Sequence, residues 1–163
     1  MQPIDLFSLE QHQGDYASWP LSSLLFHRGQ PTATHLPGYG FEAQYRCAAG
    51  YLLITHEDCP FEEANHFLLL DEHFRLLARQ DLAHAYASHL LHAHWPISPR
   101  ALRLHYYGDQ IMTLSIAPRR WPWGSRWRLV LTPLEQPDSD PLAQASIMEL
   151  NQRLRAQRTE YET

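Results

Sequence analysis

The ten residues Arg119, Arg120, Trp121, Pro122, Trp123, Gly124, Ser125, Arg126, Trp127 and Arg128 hold four of the thirteen arginines and three of the five tryptophans in a chain of 163. A guanidinium over an indole face gains cation–π attraction, and Trp and Arg are among the residues most enriched at the energetic centres of protein interfaces. Arg119, Arg120, Trp121, Trp123 and Arg126 are therefore candidate contacts for another protein. Interleaved aromatic and basic side chains also suit stacking on single-stranded nucleic acid. The structural alternative folds Trp121 and Trp123 inward over a sheet end and puts Trp127 in the core.

A second cluster runs from His56 through Glu57, Asp58, Cys59, Pro60, Phe61, Glu62 and Glu63, with His66 just beyond. Glu57, Asp58, Glu62 and Glu63 would present an acidic surface that steers a partner with a basic surface into contact. The same stretch holds the groups for hydrolysis, a carboxylate with an imidazole as acid and base, or Cys59 as a nucleophile activated by a neighbouring imidazole. The plainer reading is a solvated acidic loop anchored by Phe61.

Eleven histidines raise the question of metal, and His84, His89, His92 and His94 lie close together. On a helix His89 and His92 would share a face. The segment nevertheless lacks the glutamate and second-turn histidine of a metalloprotease helix and any cysteine pair at finger spacing. Neither a metal nor a cofactor is expected: there is no Gly-rich phosphate loop, no Gly-x-Ser-x-Gly elbow, no Cys-x-x-Cys and no kinase signature set.

Antiparallel strands are the elements that must hold these residues. Phe41 to Cys47 alternates apolar and polar positions, Ala48 to Gly50 offers a turn, and the apolar run Tyr51 to His56 pairs back as a hairpin. His66 to Leu70, the polar turn at Asp71 to His73, and Phe74 to Arg79 extend it to a four-strand meander. Asp81 to His94, with Leu82, Tyr86 and Leu90 four apart, predicts a short central helix. Ala101 to Tyr107 and Gln110 to Ala117 form a second hairpin about Gly108 and Asp109, and Arg126 to Thr132 adds a strand. Ser139 or Asp140 caps a C-terminal helix with Pro141 at its first position, and Leu142, Ile147, Leu150 and Leu154 should dock it on the sheet. The breaker-rich first forty residues predict loops, a helical turn near Ile4 to Glu10 and at most one strand.

The fold class expected is thus α+β, an antiparallel sheet, open or partly closed as a barrel, with the central helix and the amphipathic C-terminal helix packed on it. One domain spans the chain, divided into a loop-rich segment at 1–40, a β-rich core at 41–132 and the helix at 139–158. The absence of an apolar run of about 18 residues argues against a spanning helix. Two cysteines and a start without a basic-then-apolar leader point to the cytoplasm. A formal charge of −5 disfavours general nucleic-acid binding, which needs an excess of cations.

These features together suggest a binding protein rather than an enzyme, of the kind represented by intracellular immunity proteins or adaptors that neutralise or chaperone a toxin or effector. The rival is a small β-barrel enclosing a ligand, or a hydrolase built on residues 56–66, which predicts a deep pocket with His56, Glu57 or His66 pointing into it.

Overall fold

Alternating side chains organise most of the chain into strands. The computed structural model describes residues 1–57, 64–82, 90–108, 110–119 and 126–161. The described residues form β1 (Gln2–Pro3), β2 (Phe7–Leu9), β3 (Ser23–His27), β4 (Gln30–Leu36), β5 (Gly40–Cys47), β6 (Gly50–His56), β7 (Asn65–Leu70), β8 (Leu76–Leu82), β9 (Leu91–Ser98), β10 (Ala101–Tyr106), β11 (Gln110–Pro118), β12 (Trp127–Pro133) and the helix α1 (Pro141–Tyr161).

Three open antiparallel sheets result, in the orders β1-β5-β6-β7-β8, β12-β11-β10-β9 and β2-β3-β4. The five-stranded sheet lies in the middle. On one face Tyr45, Leu52, Ile54, Phe67 and Leu69 pack against Leu102, Leu104, Tyr106, Leu114 and Leu129 of the four-stranded sheet. On the other, Tyr51, Leu53, Leu68 and Leu70 meet Phe7, Leu9, Leu25 and Leu36 of the three-stranded sheet. A strand covered on both faces needs apolar side chains at every position, which explains why β7 and nearly all of β6 are buried and why their sequences run apolar without alternating.

Turns and edges follow from local chemistry. The hairpin between β5 and β6 turns at Gly50, whose φ of 130° suits glycine. Pro3, Pro31 and Pro96 sit in the edge strands β1, β4 and β9, where a missing backbone donor breaks no central ladder. The side chain of Gln44 ties the central sheet to the start of β2: its Oε1 accepts from Leu6 N and Phe7 N at 3.0 and 2.9 Å, and its Nε2 donates to Phe7 O at 2.8 Å.

Helix α1 covers the outer face of the four-stranded sheet. Asp140 caps it through Oδ1, which accepts from Leu142 N and Ala143 N at 3.1 and 3.2 Å, while Oδ2 receives Arg103 of β10. His105 Nδ1 and Ser146 Oγ, 2.8 Å apart, pin the next turn. The buried stripe is Ala143, Ser146 and Leu150, with Ile147 and Leu154 half-buried beside it. Leu142, expected in the stripe, is 60 % exposed because the cap at Asp140 turns the close-packed face onto the smaller Ala143.

Three further expectations are corrected. The first forty residues hold four strands and not one, and the helical turn placed near Ile4 to Glu10 is the strand β2. The central helix drawn over Asp81 to His94 is strand at both ends, since β8 runs to Leu82 and β9 begins at Leu91; residues 83–89 lie outside the described set. Partial barrel closure gives way to open sheets. The meander β5–β8, the hairpin β10–β11 and the added strand β12 stand as expected.

Candidate functional site

The Arg/Trp stretch emerges from the β11–β12 hairpin. Pro118 pairs with Trp127, and Arg119 N donates to Arg126 O at 2.8 Å, so Arg119 and Arg126 close the base of the connection. Both are exposed. Arg120, Trp121 and Trp123 lie outside the described residues. Alternation along β12 turns Trp127 and Leu129 toward the core and Arg128 outward, and the guanidinium of Arg100 sits 5.2 Å from the Trp127 ring centroid. Trp127 is therefore a half-buried structural anchor.

Next to this base, β12 runs beside β8 at the seam between the central and outer sheets. A cleft of about 290 Å³ opens there, lined by Leu77, Ala78, Arg79, Arg119, Trp127, Arg128 and Leu129. Among the described residues its lining joins Leu77, Ala78, Trp127 and Leu129 to three guanidiniums, and its accessible surface is mainly polar. The β8 side of this cleft was not foreseen from sequence, because the approach of β8 to β12 is a tertiary event that neither strand encodes alone.

Arg79 leads from the seam into the second cluster. Its Nε donates to both carboxylate oxygens of Asp81, at 2.8 and 3.0 Å. Asp81 lies directly across from His66 in the β7–β8 register, and its Oδ1 is 2.8 Å from His66 Nδ1; on the far side of the ring, Nε2 is 3.2 Å from Glu57 Oε1. The ring is buried, at 5 % exposure. Burial pushes the Asp81 carboxyl up, but the bonds and charges of Arg79 and His66 outweigh it and hold Asp81 below the ordinary aspartate range. Each ring nitrogen of His66 faces a carboxylate and neither faces a hydroxyl or thiol among the described residues, so the geometry is that of a tied polar chain from Glu57 to Arg79 and differs from a nucleophile–base pair. Asp58, Cys59, Glu62 and Glu63 lie outside the described residues.

Of the clustered histidines, the described pair His92 and His94 does not converge. A bulge in β9 opposite His105 and Tyr106 interrupts the alternation: His92 turns to His105, ring centroids 5.2 Å apart, whereas His94 turns inward and its Nδ1 meets Tyr45 OH at 2.5 Å. Burial holds His94 below the usual imidazole range and pushes the Tyr45 phenol up to about 12. His84 and His89 lie outside the described residues. Among the described residues no three His, Cys, Asp or Glu side chains are grouped to hold a metal ion.

A third feature escaped the sequence reading. Beside the three-stranded sheet, His12, Tyr16, Trp19 and Tyr39 form an aromatic cluster with ring centroids 5.0 to 5.7 Å apart. An open cleft of about 170 Å³ lies against it, lined by Glu10, Gln11, His12, Trp19, Tyr39, Gly40 and His56. Thus His56 lines a cleft as one reading expected, but a shallow one, and neither Glu57 nor His66 is among its lining residues. The only signal in the sequence was Tyr16 and Trp19 close together in a polar stretch.

No protein-family model matches the chain, nor does any curated protein or solved structure. Among the described residues no helix is long and apolar enough to cross a membrane.

Proposed function

We propose that this chain is a non-enzymatic, cytoplasmic binding protein whose partner is another protein, in the manner of an immunity or adaptor protein that neutralises or chaperones a toxin or effector. The observation that carries the reading is the seam cleft, where exposed Arg128 on β12 and exposed Arg119 just past the end of β11 stand together at the base of the Arg/Trp connection. The strand ladder fixes the backbone beneath these guanidiniums, so binding has only side-chain rotamers to order, and the planar fork loses less freedom per hydrogen bond than an ammonium does. The seam suits carboxylates of the partner, and the acidic cluster beginning at Glu57 suits its basic patches.

The test uses the full chain as bait in its native host, followed by affinity measurement on the stoichiometric partner recovered. The double charge reversal Arg119→Glu with Arg128→Glu should weaken that complex by about 4 kcal/mol in total, at roughly 2 kcal/mol for each hot-spot residue. The melting temperature should barely move, since exposed substitutions of this kind change stability by about 0.5 kcal/mol or less. Unchanged affinity in the folded variant rejects the assignment.

The second reading, a hydrolase or ligand binder at residues 56–66, draws on the burial of His66 between two carboxylates. A small molecule released from the natively purified protein and lost in His66→Gln would support it over the first.

A further inference from the structure

The cleft beside the three-stranded sheet differs from the seam in everything but scale. Its volume of about 170 Å³ is well below the roughly 300 to 1,000 Å³ of sites that enclose a whole small-molecule ligand, so it has room for one side chain. Its walls are Trp19, Tyr39 and the imidazoles of His12 and His56, and Glu10 supplies the carboxylate. Among the described residues no arginine lines it and no basic side chain pairs with Glu10. Glu10 is exposed; its Oε2 accepts one long bond, from Leu24 N at 3.4 Å.

The walls are set before any ligand arrives. Tyr39 OH donates to Pro20 O at 2.9 Å and Trp19 Nε1 to Gly14 O at 3.3 Å, which holds both rings at their outer ends. Ser23 Oγ donates its proton to Gly38 O at 2.8 Å, so the 2.9 Å contact with His12 Nε2 requires that the ring nitrogen be the donor. In the neutral ring Nδ1 is then left as an acceptor. Indole and phenol rings, a carboxylate with no ion-pair partner among the described residues and an imidazole acceptor together suit an organic cation with N–H groups.

We propose that this cleft receives a single cationic side chain of the partner protein, arginine in preference to lysine. Arginine is preferred because a planar guanidinium stacks on an aromatic ring while its edge donates to Glu10 and His12, which a compact ammonium does simultaneously less well. The nearby charge of Glu57 adds to the negative field: after partial burial, it is the other influence that raises the Tyr39 phenol. The assignment rests on the binding-protein reading for its biological partner, and it deepens that reading by naming the partner's chemistry at a second point of contact.

The experiment is a titration of the full chain, labelled with nitrogen-15, with Nα-acetyl-arginine amide, followed by NMR. The expected result is saturable shifts of the Trp19 indole N–H and of the Tyr39 and Gly40 amides, with a Kd of about 1 to 10 mM, the scale of a single weak contact. The citrulline amide, isosteric but uncharged, should bind about tenfold more weakly, and the lysine amide should fall between them. Glu10→Gln, an exposed and nearly isosteric change, should weaken the arginine amide about fivefold while leaving the melting temperature in place.

Equal binding of the arginine and citrulline amides, or shifts confined to other parts of the chain and indifferent to Glu10→Gln, would overturn the proposal. The probe does not require the partner protein. Failure here with the seam variants still behaving as expected discards the cation subsite alone; success here with no protein partner at the seam discards the binding-protein reading and leaves a cation site standing.

Discussion

The two clefts share one scaffold and are built by different means. At the seam every lining residue lies on or next to a strand, and strand register decides where each guanidinium stands: Arg79 opposite Leu68, Arg128 opposite Ala117, Arg119 across from Arg126. In the aromatic cleft the lining comes mainly from connections, and side-chain bonds to backbone carbonyls do the positioning: Tyr39 to Pro20, Trp19 to Gly14, Ser23 to Gly38. A ladder is redundant, so removing one seam side chain changes the contact and spares the frame. A cleft held by turns fails as a unit when one turn fails.

The largest effect expected from that difference is at Gly38. Its φ is +90°, and a Cβ added there would come within 2.8 Å of the His56 carbonyl oxygen and 2.9 Å of the Thr55 side chain. Both obstacles belong to the end of β6, where Thr55 is fully buried and paired on both sides, and cannot retreat far. Gly38→Ala should therefore cost about 2 to 4 kcal/mol in urea unfolding. Under native conditions it should abolish the arginine-amide shifts at Trp19 while the seam side chains retain their behaviour toward a partner. Equal damage to both clefts would show that they are not independent.

Next in size is a change in what the clefts have in common. Tyr45 OH and His94 Nδ1 join the central sheet to β9 inside the core. Tyr45→Phe leaves the His94 nitrogen without its hydroxyl partner and should destabilise by about 1 to 3 kcal/mol, with neither cleft altered in affinity. His94 also gives the core a pH dependence of definite sign. Its folded pKa is held below the ordinary value of 6.5 by burial, so as pH falls through about 6.5 the unfolded chain takes up a proton that the folded chain resists. Its contribution to stability is thus full above that pH and declines below it, and an unfolding series from pH 7.5 to 5.5 checks the direction. A rise in stability on acidification would contradict it.

The same contrast accounts for what could be read in advance. Hairpins β5–β6 and β10–β11 were legible because alternation and a glycine turn coincide, and Asp140 with Pro141 marks the start of α1 through chemistry local to the chain. The outer layer β2–β4 was not legible. It buries few side chains, chiefly Phe7, Leu9, Leu25 and Leu36, and its edge strand tolerates Pro31, so composition looked like loop. The start of β9 reads as helix in sequence because its bulge breaks the period of two around His92. At the candidate site, Arg119, Arg126 and Glu57 were picked out by type and spacing. The partners that give them meaning, Arg79 and Asp81 from β8 and Arg128 beside the seam, depend on strands meeting across the fold.

The smallest effect expected is at Asp81, which couples the acidic cluster to the seam. Its carboxylate occupies the Arg79 guanidinium through two bonds, so of the three arginines around the seam cleft one is already neutralised. Asp81→Asn keeps the shape and removes the charge. Arg79 then becomes available to an acidic partner, and affinity at the seam should rise about two- to threefold, the scale of an exposed ion pair. Because the folded pKa of Asp81 lies below 3.8, the wild-type residue contributes stability above that pH and loses it as pH falls toward the folded value. The variant should flatten that part of the acid unfolding curve. A seam in which Asp81→Asn weakens partner binding would mean that Asp81 itself touches the partner, and the boundary between the acidic and basic contacts would have to be redrawn along β8.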